Sequence, residues 1–201
     1  MIGVPATIDN DVSGTDTTIG FDTAVNTALS AIDKIRDTAF SHERIFVVEV
    51  MGRKRGFLAL EVGLAGGAEL ILVPEMESDM NKICEKLRNA RKEGKTSEII
   101  VMAEGAGDSR KVVDYIAANT GYQARLTVLG YVQRGGIPTA YSRTLACEFG
   151  HHAVKLLLDG ASRRMVGVSG GKIISVNLDY SWKERKELDL ERYRLAEILS
   201  S

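Results

Sequence analysis

Three short runs constrain this chain more than any other feature: "RIFVVEV" at 44–50, "ELILVP" at 69–74 and "EIIVMAEG" at 98–105. Each is almost continuously apolar and rich in β-branched residues, where a strand with one wet face would alternate. Such strands need cover on both faces, and the segments between them offer it. Leu58, Leu60 and Leu64, then Met80, Ile83, Cys84 and Leu87, then Val112, Val113, Ile116 and Ala117 recur at helical spacing. Alternation of this kind predicts an α/β chain with mainly parallel sheets. "RLTVLGYV" at 125–132 adds a strand. Phe21, Ala24, Val25, Ala28, Leu29, Ile32 and Ile35 predict a helix over 20–36, and Leu145, Phe149, Ala153, Leu156 and Leu157 predict a long helix ending near Gly160. The closing "WKERKELDLERYRLAEILS" reads as a charge-laced, solvated surface element.

At 201 residues, with 44% hydrophobic and 26% charged, the chain is long enough for a sizeable core. A net charge of -1 provides no field for a polyanion, so neither nucleic acid nor an anionic membrane is an expected partner. No apolar run approaches the ~20 residues of a membrane span. Cys84 and Cys147 lack metal or redox spacing and are expected to be buried thiols of a cytoplasmic protein. His151 and His152, adjacent on a helix, point about 100° apart and are poorly placed to share a metal.

The polar peculiarities cluster behind the strands. "TIDND" (7–11), "MGRKRG" (51–56), "EGAGD" (104–108) and "YVQRGG" (131–136) each follow an apolar run, and in one parallel sheet such loops open on the same edge, where ligands bind. Arginine beside glycine-rich backbone suits phosphate, while convergent carboxylates suit proton acceptance or metal organisation.

These segments, with "TIDNDVSGTDTTIGFDTA", "HERIFVVEVMGRKRG", "GGAELILVPE" and "ARLTVLGYVQRGG" at their separations, resemble the C-terminal part of the 6-phosphofructokinases from end to end. The resemblance implies a two-domain, Rossmann-like architecture with the first domain incomplete. Residues 1–19 and 134–170 would belong to the larger, nucleotide-side domain and 20–133 to the smaller one, with 171–201 a C-terminal hairpin and helical tail. It implies transfer of the ATP γ-phosphoryl group to the 1-hydroxyl of fructose 6-phosphate, with Mg2+, in a cytoplasmic, allosteric homotetramer. Asp9 matches the general base, Thr7 matches a catalytic residue near the transferred group and, with Ile8, a substrate contact, and Asp11 matches a residue that organises the metal or the loop. Met51, Gly52 and Arg53 match the loop that touches the sugar, with Arg53 stabilising charge on the phosphoryl group. Glu104 would accept from sugar hydroxyls, and Tyr131 and Arg134 would hold the 6-phosphate. Arg44 and Arg125 match positions that reach a neighbouring subunit's site. Arg36, Glu69 and Lys95 match an effector site.

Three departures bear on these roles. Tyr131 stands where the pattern has His, and a phenol cannot become cationic near neutral pH. Ala6 stands where pyrophosphate-dependent members carry Lys, which favours ATP, and Glu93 stands where a basic effector contact is expected. Nothing in the 201 residues resembles the family's Gly-rich loop and "GGDGS"-like donor segment. The expectation is therefore an acceptor half, inactive by itself, with a pyrophosphate-dependent enzyme or a non-catalytic sugar-phosphate-binding fragment as the alternatives.

Overall fold

The computed structural model describes residues 1–200, with the side chains of Phe40 and His42 left out of the description. It divides into two compact units, one of residues 1–24 with 134–187 and one of residues 25–133 with 188–201.

In the second unit, β4 (Ile45–Val50), β5 (Leu70–Leu72), β6 (Glu98–Ala103) and β7 (Ala124–Val128) form a fully parallel sheet in the order β5-β6-β4-β7. The apolar runs are buried on both faces as their composition requires. Ile45, Val47, Ile100 and Met102 meet α3 (Met80–Lys92) and α4 (Ser109–Thr120) through Ile83, Cys84, Leu87 and Ile116. The alternate residues Phe46, Val48, Ile99 and Val101 are equally buried, on the face that α2 (Phe57–Ala65) covers. Chain direction explains the layers. The β4-to-β5 connection runs one way across the sheet and the next two run back, so right-handed crossovers place α2 on one face and α3 and α4 on the other.

Helix α1 (Phe21–His42) runs beyond the expected residue 36, because Ala39 continues its buried stripe. β7 ends earlier than expected: Gly130 takes φ 54 and the chain enters a 3-10 turn, Gly130–Arg134. The closing segment is no detached tail. It packs through buried Leu188, just before α7 (Leu190–Leu199), and Ala196 within it, with Arg192 paired to Glu61 and Tyr193 Oη donating to Ile71 O at 3.0 Å. Of this stretch, residues up to Glu187 fall in the first unit and the rest in the second.

In the first unit, β1 (Ile2–Gly3) pairs parallel to β8 (Arg164–Ser169), and β8 pairs antiparallel to β9 (Lys172–Asn177) across Gly170-Gly171, both at positive φ as a tight hairpin turn demands. β2 (Ala6–Thr7) and β3 (Ile19–Gly20) form a separate parallel pair, and a four-residue helix, α6 (Tyr180–Lys183), follows β9. α5 (Ala140–Leu158) lays Leu145, Phe149 and Ala153 on Val166 and Val168. Cys147 lies off that stripe and is exposed, contrary to the expectation for both thiols, whereas Cys84 is buried. Met1, Val4, Ile137, Val154, Leu157 and Leu158 of this unit are exposed apolar side chains. No helix among the described residues is long and apolar enough to cross a membrane.

One charge is sealed in the sheet. Glu98, at the start of β6, has a fully buried side chain 3.4 Å from Arg91, whose guanidinium lies over the Tyr122 ring. Burial pushes the Glu98 carboxyl up to about 7, with Arg91 pulling the other way. The folded state thus holds a proton that the unfolded chain releases near its ordinary value of 4.5. Its stabilising contribution is complete below that value and is lost as pH rises through 7. Denaturant melts from pH 4 to 8 should show wild type losing on the order of 2–3 kcal/mol relative to Glu98→Gln over this range. A constant difference between the two across the series refutes the shift.

Candidate functional site

Adjacent strands β4 and β6 send their loops to opposite faces, and it is at the carboxyl ends of such a reversal that open α/β sheets bind ligands. Three of the expected residues, Gly52, Arg53 and Glu104, meet there. Glu104, first residue of the 3-10 turn Glu104–Ala106, accepts through Oε1 from Gly52 N at 3.2 Å and Arg53 N at 2.6 Å. The carboxylate is a backbone clamp, neither a helix cap nor an idle surface charge. The loop it holds is tight: Arg55 N donates to Gly52 O at 2.9 Å, Gly52 takes φ 137 and Arg53 takes φ 53. A Cβ on Gly52 would lie 2.6 Å from Arg55 O, so this turn requires glycine.

The residue that sequence reasoning missed is Gln133. Its side chain is buried, and Oε1 accepts from Met51 N at 2.9 Å. A neutral amide between the exposed Tyr131 and Arg134 carried little signal beyond its place in "YVQRGG". Gly105 was also passed over, although a Cβ there would lie 2.1 Å from Arg53 O.

In the first unit, "TIDND" follows β2 and not a strand of the four-stranded sheet, which corrects the expectation that all four loops leave one edge. Most polar residues of 7–18 shape the loop itself. Asn10, at φ 53, donates through Nδ2 to Asp16 O at 3.1 Å, Thr18 Oγ1 donates to Thr7 O at 2.7 Å, and Asp16 Oδ2 accepts from Gly170 N at 2.8 Å. Thr15 Oγ1 accepts from Val168 N and donates to Thr17 O. Asn10 and Asp16 thus serve backbone groups, beside the expected carboxylates Asp9 and Asp11. Asp9 is buried, with its amide donating to Thr7 Oγ1 at 3.2 Å, while Ile8 and Asp11 are half-buried. No group of three or more metal-ligating side chains occurs among the described residues. Two carboxylates suit Mg2+ only as the protein's share of a site that phosphate oxygens complete.

Arg44 and Arg125 stand elsewhere. Arg44 directly precedes β4, with Nε donating to Gln123 Oε1 at 3.0 Å, and the exposed Arg125 pairs in register with Phe46. Arg44 is therefore about 20 Å, the length of β4, from the carboxyl-end crevice of its own sheet. Arg36, Glu69 and Lys95 gather at that same amino end. Arg36 is 4.0 Å from Glu69 and donates to the Gly66 and Gly67 carbonyls. Glu69 Oε2 accepts from Ile99 N, and Glu69 and Lys95 line a small cavity of about 90 Å³. Glu93 is exposed at the end of α3.

The parallel four-stranded sheet, with helices packed on its faces, defines an α/β protein. The family model for phosphofructokinase matches residues 1–157, and the chain belongs to that family. It is 52% identical over 199 residues to the ATP-dependent 6-phosphofructokinases of Brevibacillus brevis and Listeria welshimeri, and 51% identical to that of Clostridioides difficile. Each alignment covers 99% of this chain and 62% of the relative, so the chain spans somewhat less than two thirds of their length. Phosphofructokinase from Saccharomyces cerevisiae superposes with a TM-score of 0.86 at 36% identity, covering 98% of this chain and 27% of that one. A pyrophosphate-dependent phosphofructokinase from Nitrosospira multiformis gives 0.82 at 26% identity, covering 98% and 59%.

Gly105→Ala tests the clamp. The added methyl must displace Arg53 and is expected to cost roughly 1–3 kcal/mol in a denaturant melt and to speed exchange of the Arg53 amide. Unchanged stability together with unchanged exchange would show that residues 52–53 are not held as described.

Proposed function

We propose that this chain supplies the acceptor half of an ATP-dependent 6-phosphofructokinase, which forms fructose 1,6-bisphosphate and ADP in the cytoplasm. The observation that carries the reading is Glu104 gripping the amides of Gly52 and Arg53. It holds a carboxylate and an arginine-bearing loop together in the crevice where the family binds its sugar phosphate.

In this reading Asp9 orients the 1-hydroxyl and takes its proton. An ordinary carboxylate suffices, because in a loose phosphoryl-transfer transition state the proton leaves late. Thr7 and Ile8 place that carboxylate, Met51 and Gly52 abut the sugar, and Arg53 answers charge on the transferred group. Glu104 accepts from sugar hydroxyls, and Tyr131 and Arg134 hold the 6-phosphate. Asp11, with Asp9 two residues before it, would be the protein's carboxylates for Mg2+, which would supply neutralisation of donor phosphate charge. Arg36, Glu69 and Lys95 are assigned to effector binding. ATP is preferred as donor because the relatives at 47–52% identity are named ATP-dependent, whereas the pyrophosphate-dependent structures stand at 26–28%.

The chain joined to the portion of the Brevibacillus relative outside the matched region should form fructose 1,6-bisphosphate from ATP in a coupled assay. Asp9→Ser should lower its kcat at least ~100-fold with KM changed only a few-fold, since base help is expressed in the transition state. Turnover near wild type would remove Asp9 from the role.

Arg44 and Arg125 are proposed to act on a neighbouring subunit, a reading supported by their place at the far end of β4 and β7 from their own crevice. Mixed oligomers of Asp9→Ser and Arg125→Ala chains should then regain about a quarter or more of wild-type activity, since some sites draw both intact residues from different chains. Verified mixtures that stay inactive would count against shared sites.

A further inference from the structure

The loop between β4 and α2 takes one acceptor from the end of each other strand in its sheet. Gln133 follows β7 and holds Met51 N, and Glu104 follows β6 and holds Gly52 N and Arg53 N. The third acceptor is Glu75, which follows β5: its Oε1 accepts from Gly56 N at 3.1 Å.

Glu75 does at the base of the loop what Gly56 cannot do for itself. Gly56 is the N-cap of α2 and has no side chain with which to cap it. It has to be glycine, since a Cβ there would lie 2.5 Å from Val73 Cβ and 2.7 Å from Glu75 Oε2. The helix therefore borrows its cap from β5, and a carboxylate is the favourable charge at a helix N-terminus. Arg55, the preceding residue, approaches the same carboxylate, Nε to Oε1 3.6 Å, with both side chains only 10% exposed. Its guanidinium carbon lies 5.0 Å from the Phe57 ring centroid, and its two terminal nitrogens are buried without a hydrogen-bond partner. Glu75 is thus the nearest countercharge on a cation that water does not reach, as well as the anchor of the loop's trailing end.

We propose that Glu75 is a positioning residue of the acceptor site, fixing Arg55 and Gly56 so that Met51, Gly52 and Arg53 are presented in register to the sugar phosphate. The proposal rests on the reading under Proposed function for the identity of the ligand. Its structural half, control of residues 51–56 by Glu75, does not. Loss of the carboxylate frees the trailing end of the loop and leaves Arg55 buried and uncompensated. An amide at position 75 keeps the acceptor for Gly56 N but not the charge. Arg55→Met with Glu75→Gln therefore removes the ion pair and preserves the anchor.

The 201-residue chain carries the test, with amide hydrogen exchange and calorimetric titration with fructose 6-phosphate as parallel readouts. Glu75→Ala is expected to speed exchange at 51–56 by about tenfold or more, with the β6 amides unchanged, and to weaken fructose 6-phosphate about tenfold. The double variant is expected to stay within about threefold of wild type on both counts, a rescue that a general loss of stability would not produce. Unchanged loop exchange in Glu75→Ala, an equal rise throughout β6, or a double variant as impaired as Glu75→Ala each overturns the proposal. If wild type takes up no fructose 6-phosphate while the exchange pattern holds, the functional reading fails and the hold of Glu75 on the loop stands.

Discussion

Backbone amides that leave a buried strand without a partner have to be satisfied, and in the second unit that demand falls hardest on the six residues after β4. A parallel strand covered on both faces ends abruptly, and its next N–H groups lose the ladder that paired their predecessors. Side-chain acceptors from β6 and β7 meet the demand, at Glu104 and Gln133, together with the internal turn from Arg55 to Gly52. Rigidity of the candidate site is thus a by-product of hydrogen-bond satisfaction. Arg53 is held in a left-handed conformation, unusual for a residue with a Cβ, because its amide is committed to Glu104.

The same economy orders the acidic stretch at residues 7–18. Many oxygens there serve the chain itself, through Thr15, Asp16, Thr18 and Asn10, and the loop is tied to β8 and the Gly170 turn. So many polar groups in so few residues are needed because irregular backbone consumes acceptors. Glu98 illustrates the opposite case, a carboxylate buried for no catalytic purpose, whose burial outweighs its partner and raises its proton affinity. Burial alone therefore does not mark a working acid.

How legible each feature was follows from how local its cause is. Composition and period sufficed for the parallel strands, their double-sided burial and the helices between them, because hydrophobic patterning is a property of consecutive residues. The phosphofructokinase family was legible too, since the motifs "TIDND", "MGRKRG" and "YVQRGG" keep their spacing. The end of β7, the extension of α1 and the exposure of Cys147 were not, because each depends on which neighbour packs against a particular turn.

Site chemistry divides along the same line. Sequence alone determined which residue types were present and which family they belong to. Tertiary structure alone decided that Glu104 spends one oxygen on the Arg53 loop, that Gln133 belongs to the same constellation, and that "TIDND" leaves a different sheet. It also set Arg44 a strand's length from the loop that follows β4. The reason is physical: hydrogen-bond partners 50 to 80 residues apart are chosen by strand order, and strand order by the burial of both faces of one sheet. No periodicity in the chain encodes which strand will lie beside which.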